Sequence, residues 1–468
     1  MFTILIIFLE FFTLSTLLIK RHNLLINLAT SSLIFLGMLG FLSFILREYL
    51  GISYGSFPNY FAIFLFIVVL LTLLLMRKGE TNFNFKNYFQ FEKIERFEMI
   101  FLLAILILII VGFFIPVRGW DAYSLYDSRA RFFESGMKQS DLASLSKYDQ
   151  TNNLYYFSYP PMTSAIHAVL YASGFSSPTF IYPMFYFSVL TMAYVLVKSL
   201  RLPKILIFLT IIPLALNKLL ITQIYASYTN LPMLAFQIGC FFYAIMYFRE
   251  NRSVYMLLSA LSLGFSNWTR NLEPTYVAFL FFSIFLILKT KSKKVHKIIV
   301  TVLFLLLSVA PRIIWNNYIS SIAINIGEIF PSIPILLSRL LDSTYLSNLI
   351  DVTFFVYEAL FPVLIYVVIY FVVSLIYIFV KTKNRENETI ALSTMLLIIF
   401  LFVIMVAGTL YFSVTFAWWD QIPGSFLRSN LPLIPLTMIL FAFILEKLVN
   451  GKKINTIGKK EKVLGRKN

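Results

Sequence analysis

The sequence predicts an all-α protein that crosses a membrane many times. Of its 468 residues, 59% are apolar and 13% are charged, and the charged share is about half the ~25% usual in soluble domains. The mean hydropathy is +0.82, and apolar runs near the ~20 residues needed to span a bilayer recur along the chain. Because a soluble fold cannot bury so much apolar surface, these observations exclude soluble enzymes, disordered chains, collagen and coiled coils.

Thirteen apolar runs, separated by charged or turn-forming residues, predict thirteen membrane-spanning helices. The expected ranges are 2–19, 24–46, 58–76, 98–117, 178–197, 205–219, 229–248, 253–267, 272–288, 298–316, 353–380, 390–412 and 430–448. The first run is not expected to be a cleavable signal peptide, because it has neither a basic start nor a small-residue cleavage site.

Cysteine and histidine are too scarce for most metal sites. Cys240 is the single cysteine, which excludes an intrachain disulfide, a Cys-based zinc site and an iron–sulfur cluster. The three histidines leave little for a His-based site. The sequence therefore predicts no cofactor and requires no metal, although the Asp-containing outer loops leave a metal open.

The basic residues predict the orientation of the chain. If the N-terminus is outside, most of the 39 Lys and Arg residues fall in loops on the inner side, as the positive-inside rule requires. We therefore expect a multi-pass cell-membrane protein with an extracytoplasmic N-terminus and a cytoplasmic C-terminus. The net charge of +17 then reflects topology and attraction to anionic membrane lipid. Because the basic tail 449–468 has no interleaved aromatics, nucleic acid is not an expected partner.

The most polar outer stretch is the predicted loop 118–177. It begins with RGWDAYSLYDSRARFFESG, in which Asp121 follows the exit of the fourth span, and it ends with YYFSYPPMTSAIHAVLYASG. Segment 121–134 predicts an interfacial helix with aromatics toward the membrane and charges toward water, on which Asp127 and Arg131 are i,i+4 partners. His167 is expected to be a satisfied helix histidine and not a base.

Further polar groups recur where other predicted spans reach the outer side. They are Tyr228, Asn230, Trp268, Arg270, Glu273, Arg312, Trp315, Asp420 and Arg428. Arginines at this depth suit phosphate, because one guanidinium can bind two oxygens at once. A carboxylate beside them can deprotonate an acceptor hydroxyl or amine. This pattern favours a phosphate-handling site at the outer surface.

Simpler roles are open for the same residues. Asp121 could be solvated or cap a helix, Arg129 could pair with lipid headgroups, and Arg428 could extend to the outer interface. Arg270 and Glu273 could form a structural pair at a span boundary. An aromatic belt, without any ligand, could account for the five tryptophans, which are Trp120, Trp268, Trp315, Trp418 and Trp419.

The ordered set of polar segments resembles the GT-C superfamily of membrane glycosyltransferases. The resemblance is to the branch of the protein O-mannosyltransferases and lipid A aminoarabinose transferases, which is glycosyltransferase family 39-like. GWDAYSLYDSRARFFESG looks like the first-loop catalytic motif of that branch, and YPPMTSAIHAVLYASG resembles the segment that closes the loop. Four later segments of this chain are similar to the later polar motifs of that branch: SYTNLPMLAF, NWTRNLEPTYVAF, SVAPRIIWNNY and FLRSNLPLIPL. The resemblance covers 98–448, so 1–97 looks like an addition of three spans and a cytoplasmic loop.

The resemblance implies a GT-C fold of about 13 transmembrane helices and an inverting sugar transfer on the extracytoplasmic face. The implied donor is a polyprenyl- or dolichyl-phosphate-linked sugar, and the acceptor is a lipid, a glycan or a protein. Asp121 matches the catalytic general base of the family. The residues expected at the donor phosphate are Arg129, Arg270 and Arg428, and those expected in the substrate pocket are Trp120, Tyr159, Asn230, Trp268 and Glu273. Asn230 stands where many relatives carry Asp.

Two other functions stay open. One is a lipid-linked glycan polymerase or ligase, for which the predicted outer loop 317–350 could bind the growing chain. The other is a transporter or flippase for lipid-linked sugar. A transporter is disfavoured because the predicted spans contain almost no ionisable residues, Glu10 apart, and show no two halves with matching broken helices.

Overall fold

The computed structural model describes ten stretches of the chain. They are residues 1–19, 23–79, 88–119, 122–146, 159–270, 273–322, 343–360, 364–379, 385–413 and 427–464. Within these stretches the chain forms helices and no strand, which confirms the all-α class. Helices satisfy their own backbone hydrogen bonds, so a chain this apolar can place them in lipid.

The described residues form eighteen α-helices. In chain order they are α1 (Phe2–Ile19), α2 (Leu24–Leu50), α3 (Phe57–Gly79), α4 (Arg96–Gly112), α5 (Ser128–Glu134), α6 (Gln139–Ser146), α7 (Met162–Ala172), α8 (Ile181–Ser199), α9 (Lys204–Ala215), α10 (Lys218–Ala226), α11 (Asn230–Glu250), α12 (Ser253–Thr269), α13 (Glu273–Lys289), α14 (Lys294–Ser321), α15 (Ser343–Leu360), α16 (Leu364–Phe379), α17 (Arg385–Ser413) and α18 (Leu433–Leu464). A π-helical turn, Ala122–Asp127, leads directly into α5.

Among the described residues, seven helices are long and apolar enough to cross a membrane. They are α1, α2, α3, α8, α11, α14 and α17. The pair α9 and α10, bent by 47° at a short break, makes an eighth if it counts as one span. These helices identify a membrane-embedded protein, while the thirteen spans stay a prediction. Rows of exposed apolar side chains, such as Leu75 on α3 and Ile100 on α4, give the lipid tails a surface to contact.

One predicted span has a break that hydropathy did not reveal. The run 205–219 ends within the bent pair, where the Asn217 side chain accepts a hydrogen bond from the Leu220 amide at 3.1 Å and starts α10. Only Asn217 and Lys218 interrupt the apolar sequence there, so a pattern based on hydropathy alone joins the two pieces. The run 353–380 falls on the end of α15 and on α16, and residues 361–363 between these helices lie outside the described residues.

Helix α2 runs through the centre of the core. It packs on α1, α7, α8 and α12, and its glycines allow the closest approaches: a methyl group on Gly40 would come within 2.8 Å of the Met162 carbonyl oxygen. Thr30 accepts a hydrogen bond from the Tyr243 hydroxyl at 2.7 Å, and the Ala29 carbonyl accepts one from Ser188 at 3.1 Å. The first helices therefore share one hydrophobic core with the segment 98–448.

Polar contacts join helix ends that the alternating topology predicts on the same side. At one end of the bundle, Lys198 forms ion pairs with Glu95 at 3.0 Å and with Glu98 at 2.8 Å. At the other, Glu48 accepts a hydrogen bond from the Tyr318 hydroxyl at 2.5 Å. These pairs agree with helices that run alternately up and down through the bundle. Which end faces the cytoplasm stays a prediction from the charge distribution.

The close contact of α12 with α14 gives a test of the packing. A methyl group on Gly264 would lie 2.9 Å from the Leu307 carbonyl oxygen and 3.1 Å from Pro311. We expect Gly264→Ala to lower the free energy of unfolding by about 1–3 kcal/mol, because the two backbones must move apart. Thermal unfolding in detergent micelles measures this change.

Gly408 in α17 is the matched control, because a methyl group there meets no atom of the described residues within 4 Å. Gly408→Ala is expected to leave stability unchanged or to raise it by up to about 1 kcal/mol through helix propensity. Equal losses in the two variants would contradict the close approach of α12 and α14.

Candidate functional site

Helix α5 of the predicted outer loop packs onto the bundle and does not lie flat on its surface. Arg129, Ala130 and Phe133 of α5 are buried, and the Phe133 ring stacks on Tyr54 with centroids 5.5 Å apart. The expected interfacial helix, with its charges toward water, is therefore wrong for this face. The reason is that Asp127 and Arg129 find partners inside the protein.

Asp127 is the most enclosed of the acids described in this loop. Its Oδ1 atom accepts a hydrogen bond from the Tyr171 hydroxyl at 2.6 Å and lies 3.2 Å from His167 Nδ1. On the other side of the ring, His167 Nε2 lies 3.2 Å from the Tyr182 hydroxyl. His167 and Tyr182 are fully buried. The sequence interpretation of His167 as a satisfied helix histidine is confirmed.

The electrostatics of Asp127 follow from these contacts. Burial by itself raises the pKa of its carboxyl, but the hydrogen bond and charge of His167, the Tyr171 hydroxyl and the charge of Arg131 outweigh burial and lower the pKa below 3.8. The predicted ion pair of Asp127 with Arg131 is not formed. Arg131 instead pairs with Glu134 at 3.2 Å and lies 3.3 Å from the centroid of the Tyr171 ring. The i,i+4 spacing does not decide the partner of Asp127, because this side chain faces His167 and Tyr171 of α7.

Arg129 joins α5 to residues 159–164, which contain the Pro160–Pro161 pair and the start of α7. Its Nη1 donates to the Tyr159 carbonyl oxygen at 2.9 Å, its Nη2 to the Pro160 carbonyl oxygen at 3.5 Å, and its Nε to the Ser164 hydroxyl at 3.0 Å. The guanidinium is 3% exposed, and burial lowers its pKa to about 10, so it stays charged at neutral pH. Contact of Arg129 with a donor phosphate stays a prediction, and its structural contacts are on the protein itself.

The connection between α10 and α11 meets the same loop. Ser227 has a left-handed backbone, with φ of 57°, and its carbonyl oxygen accepts a hydrogen bond from the Tyr182 hydroxyl at 2.8 Å. Thr229 donates to the Tyr126 hydroxyl at 3.3 Å. Asn230, the first residue of α11, is 1% exposed, and its Nδ2 atom, like Ser227 Oγ, has no hydrogen-bond partner among the described residues.

Tyr228 brings three predicted outer segments together. A Cβ atom on Gly119, whose φ is 98°, would lie 3.0 Å from the Tyr228 hydroxyl. The Arg428 guanidinium lies 4.7 Å from the centroid of the Tyr228 ring, in cation–π geometry. The segment just before Asp121 and the late arginine therefore meet at one tyrosine. Asp121 and Trp120 themselves lie outside the described residues, as do Trp418, Trp419 and Asp420.

Trp268 and Trp315 lie inside the bundle. Both are fully buried, and their rings pack edge to face, 5.5 Å apart, with Phe44 touching each. The belt interpretation is wrong for these two tryptophans, because a belt residue faces lipid headgroups. Trp268 Nε1 has no hydrogen-bond partner in the part of the chain described, and a place in the substrate pocket stays a prediction.

Arg270 and Glu273 flank the connection from α12 to α13. Arg270 is half-buried and follows the end of α12 with extended backbone, φ −156° and ψ 147°. Glu273 begins α13, and its side chain lies outside the description. Neither the structural pair nor the donor contact predicted for these residues is tested by this geometry.

Glu48 holds this loop through hydrogen bonds. The sequence did not single out this residue. Its Oε1 atom accepts a hydrogen bond from the Gln139 amide at 3.0 Å, and its Oε2 atom accepts one from the Tyr318 hydroxyl. Arg47, its neighbour, donates to the Gly136 carbonyl. The end of α2 therefore holds the loop after α5. The only sequence signal was a charged pair at the outer end of a predicted span.

Within the described stretches, no group of three or more His, Cys, Asp or Glu side chains converges to hold a metal ion. The polar groups that do converge are a carboxylate, two arginines and several tyrosine hydroxyls. No protein-family model, curated protein or solved structure matches the chain. The family resemblance therefore depends on the sequence motifs.

The depressed pKa of Asp127 predicts a pH dependence of stability. A group whose pKa is lower in the folded protein stabilises it above its unfolded pKa, and this contribution is lost as the pH falls through the folded value. We expect Asp127→Asn to lower the free energy of unfolding by about 2 kcal/mol at pH 7. The difference from wild type should shrink below pH 3.8, as measured by thermal unfolding in detergent across pH.

Asp351 on α15 is the control, because it is exposed. Asp351→Asn is expected to change stability by less than about 0.5 kcal/mol at every pH. A constant difference between wild type and Asp127→Asn, from neutral pH to well below 3.8, would show that Asp127 is not held as the carboxylate.

Proposed function

We propose that the protein is a membrane glycosyltransferase that moves a sugar from a polyprenyl- or dolichyl-phosphate donor to an acceptor on the extracytoplasmic face. The proposal includes a GT-C fold of about 13 spans, with the N-terminus outside and the C-terminus in the cytoplasm. The observation that carries it is the meeting of Gly119 and Arg428 at Tyr228. It joins the two sequence motifs that the family resemblance assigns to the base and to the donor phosphate.

The carboxylate and the arginine have complementary tasks in such a transfer. In the sequence, Asp121 comes two residues after Gly119, which lies at Tyr228. A guanidinium at Arg428 can bind two oxygens of a phosphate. Its position over the Tyr228 ring orients the planar group, because the ring face attracts the cation.

The reaction is a single displacement at the anomeric carbon of the sugar. The acceptor hydroxyl oxygen forms a bond to that carbon while the bond from the carbon to the phosphate oxygen breaks. Asp121 takes the hydroxyl proton as general base, and polyprenyl phosphate leaves with the bonding electrons. Arg428 stabilises the charge that develops on the leaving phosphate. One displacement inverts the configuration at the anomeric carbon.

The helix bundle gives the lipid donor a route to this place. Outward-facing Ile100, Leu103 and Ile107 of α4 are more than half exposed, which makes this helix a lipid contact. The chain leaves α4 at Gly112 and reaches Gly119 through a short connection. A donor whose tail lies along α4 in the bilayer can therefore present its phosphate at the outer end of that helix.

Asp121→Asn tests the general base. We expect transfer from a polyprenyl-phosphate sugar, measured in proteoliposomes with a labelled donor, to fall by at least about 100-fold. Membrane insertion and the thermal unfolding midpoint should stay at the wild-type level. The mass of the product also separates addition of one sugar from transfer of a longer chain.

The matched control is Asp141→Asn, which changes an exposed acid of the same loop that accepts a hydrogen bond from the Lys138 amide. Its transfer rate is expected within about twofold of wild type, the range of a surface substitution. Full activity of Asp121→Asn would rule out Asp121 as the base.

Arg428 provides the test of the donor phosphate. We expect Arg428→Gln to lower kcat/KM for the donor by about 10- to 100-fold, the loss of one charge-assisted contact of 1.5–3 kcal/mol. Arg428→Lys should recover part of this loss, because a point charge binds phosphate without the two-oxygen geometry. If Arg428→Gln leaves donor kinetics unchanged, the phosphate is held elsewhere.

A further inference from the structure

A continuous line of buried contacts runs from the first loop to the connection before α11. It passes from Asp127 to His167 at 3.2 Å, from His167 to Tyr182 at 3.2 Å, and from Tyr182 to the Ser227 carbonyl at 2.8 Å. A second link, between Tyr126 and Thr229, lies beside it at 3.3 Å. Both lines begin at the end of the π-helical turn and finish on either side of Tyr228.

The members of this line are too enclosed to meet a substrate. His167 and Tyr182 are fully buried, and Asp127 is 6% exposed. An acceptor hydroxyl cannot reach the His167 ring without unfolding of the loop. The groups therefore act on the site through the segments they hold, and not by contact with the reacting atoms.

We propose that Asp127, His167 and Tyr182 form a positioning relay that sets the distance between the Asp121 motif and the Tyr228–Arg428 pair. The proposal rests on the glycosyltransferase function stated above. One end of the relay fixes the turn that follows Asp121 in the sequence, and the other fixes Ser227, next to Tyr228. Loss of any link lets these two segments move apart.

The left-handed backbone at Ser227 explains why the line must end there. A non-glycine residue with φ of 57° is strained, and such a conformation persists only when its surroundings hold it. The Tyr182 hydroxyl holds the Ser227 carbonyl directly. Without that bond, the connection can relax to an ordinary conformation, and the Tyr228 side chain turns with it.

The charges around the relay keep it in one arrangement. The acid facing His167 is Asp127, which also accepts a hydrogen bond from the Tyr171 hydroxyl, and the hydroxyl facing His167 is that of Tyr182. Arg131 lies over the Tyr171 ring from α5. The lowered pKa of Asp127 keeps this group ionised at neutral pH, so its Oδ1 requires donors and fixes the Nδ1–H of His167 toward it.

Tyr182→Phe and Tyr186→Phe form a matched pair on α8. Each tyrosine is buried and donates its hydroxyl to a backbone carbonyl, Tyr182 to Ser227 and Tyr186 to Ala215. Tyr182→Phe loses the hydrogen bond to Ser227 and the contact with His167, whereas Tyr186→Phe loses one hydrogen bond, so we expect each variant to lower the free energy of unfolding by about 1–2 kcal/mol. Only Tyr182→Phe is expected to lower kcat, by about 10-fold, with the donor KM within about twofold.

Backbone hydrogen exchange gives a measurement that does not need the transfer reaction. In wild-type protein in detergent micelles, the segments 122–134 and 226–232 should exchange slowly. Tyr182→Phe and His167→Ala should speed exchange in both segments by at least about tenfold, while Tyr186→Phe changes neither. His167→Gln should recover part of the protection, because its amide nitrogen can still donate a hydrogen bond to Asp127.

Two results would overturn the relay. One is equal loss of kcat in Tyr182→Phe and Tyr186→Phe, which would mark a general effect of stability. The other is unchanged exchange in 226–232 when His167 or Tyr182 is altered. If exchange responds as expected but wild-type protein transfers no sugar, the coupling of the two segments stands and the proposed function fails.

Discussion

Asp127 and Arg129 of the first loop are buried only because each one finds a partner inside the protein. An unpaired charge in an apolar interior costs several kcal/mol, so this part of the loop can pack on the helices only in an arrangement that pairs these ions. Arg129 donates to the Tyr159 and Pro160 carbonyls and to the Ser164 hydroxyl, and Asp127 receives a hydrogen bond from Tyr171 of α7. Glu48, at the end of α2, binds the chain after α5. The position of the loop follows from these pairings.

The helices were the most predictable part of the fold, because lipid imposes a simple rule on sequence. A span must be long and apolar, so α1, α2 and α3 begin and end close to the predicted limits. The break between α9 and α10 was missed. It depends on local capping at Asn217, in sequence that is apolar on both sides. A hydropathy pattern does not detect such a cap.

The candidate site was predictable in part. The motifs around Gly119 and Arg428 were identified by their residues, but their meeting at Tyr228 depends on packing between segments more than 300 residues apart in the chain. The pairing of Asp127 was predicted wrongly for a related reason. Arg131 is its neighbour in sequence, whereas His167 and Tyr171 are its neighbours in space. Burial of Trp268 and Trp315 likewise reflects α2, whose Phe44 covers both rings.

Because of the π-helical turn, the direction of the residues before α5 depends on the number of residues in the turn. A π-turn holds one residue more than the α-helical turn that it interrupts. Deleting one residue from Ala122–Asp127 would let the segment close as an ordinary α-helix continuous with α5. Everything before the turn would then rotate by about 100° about the helix axis, the angle of one residue in a turn of 3.6. A substitution in this turn alters one contact, whereas a deletion changes the direction in which the preceding residues point.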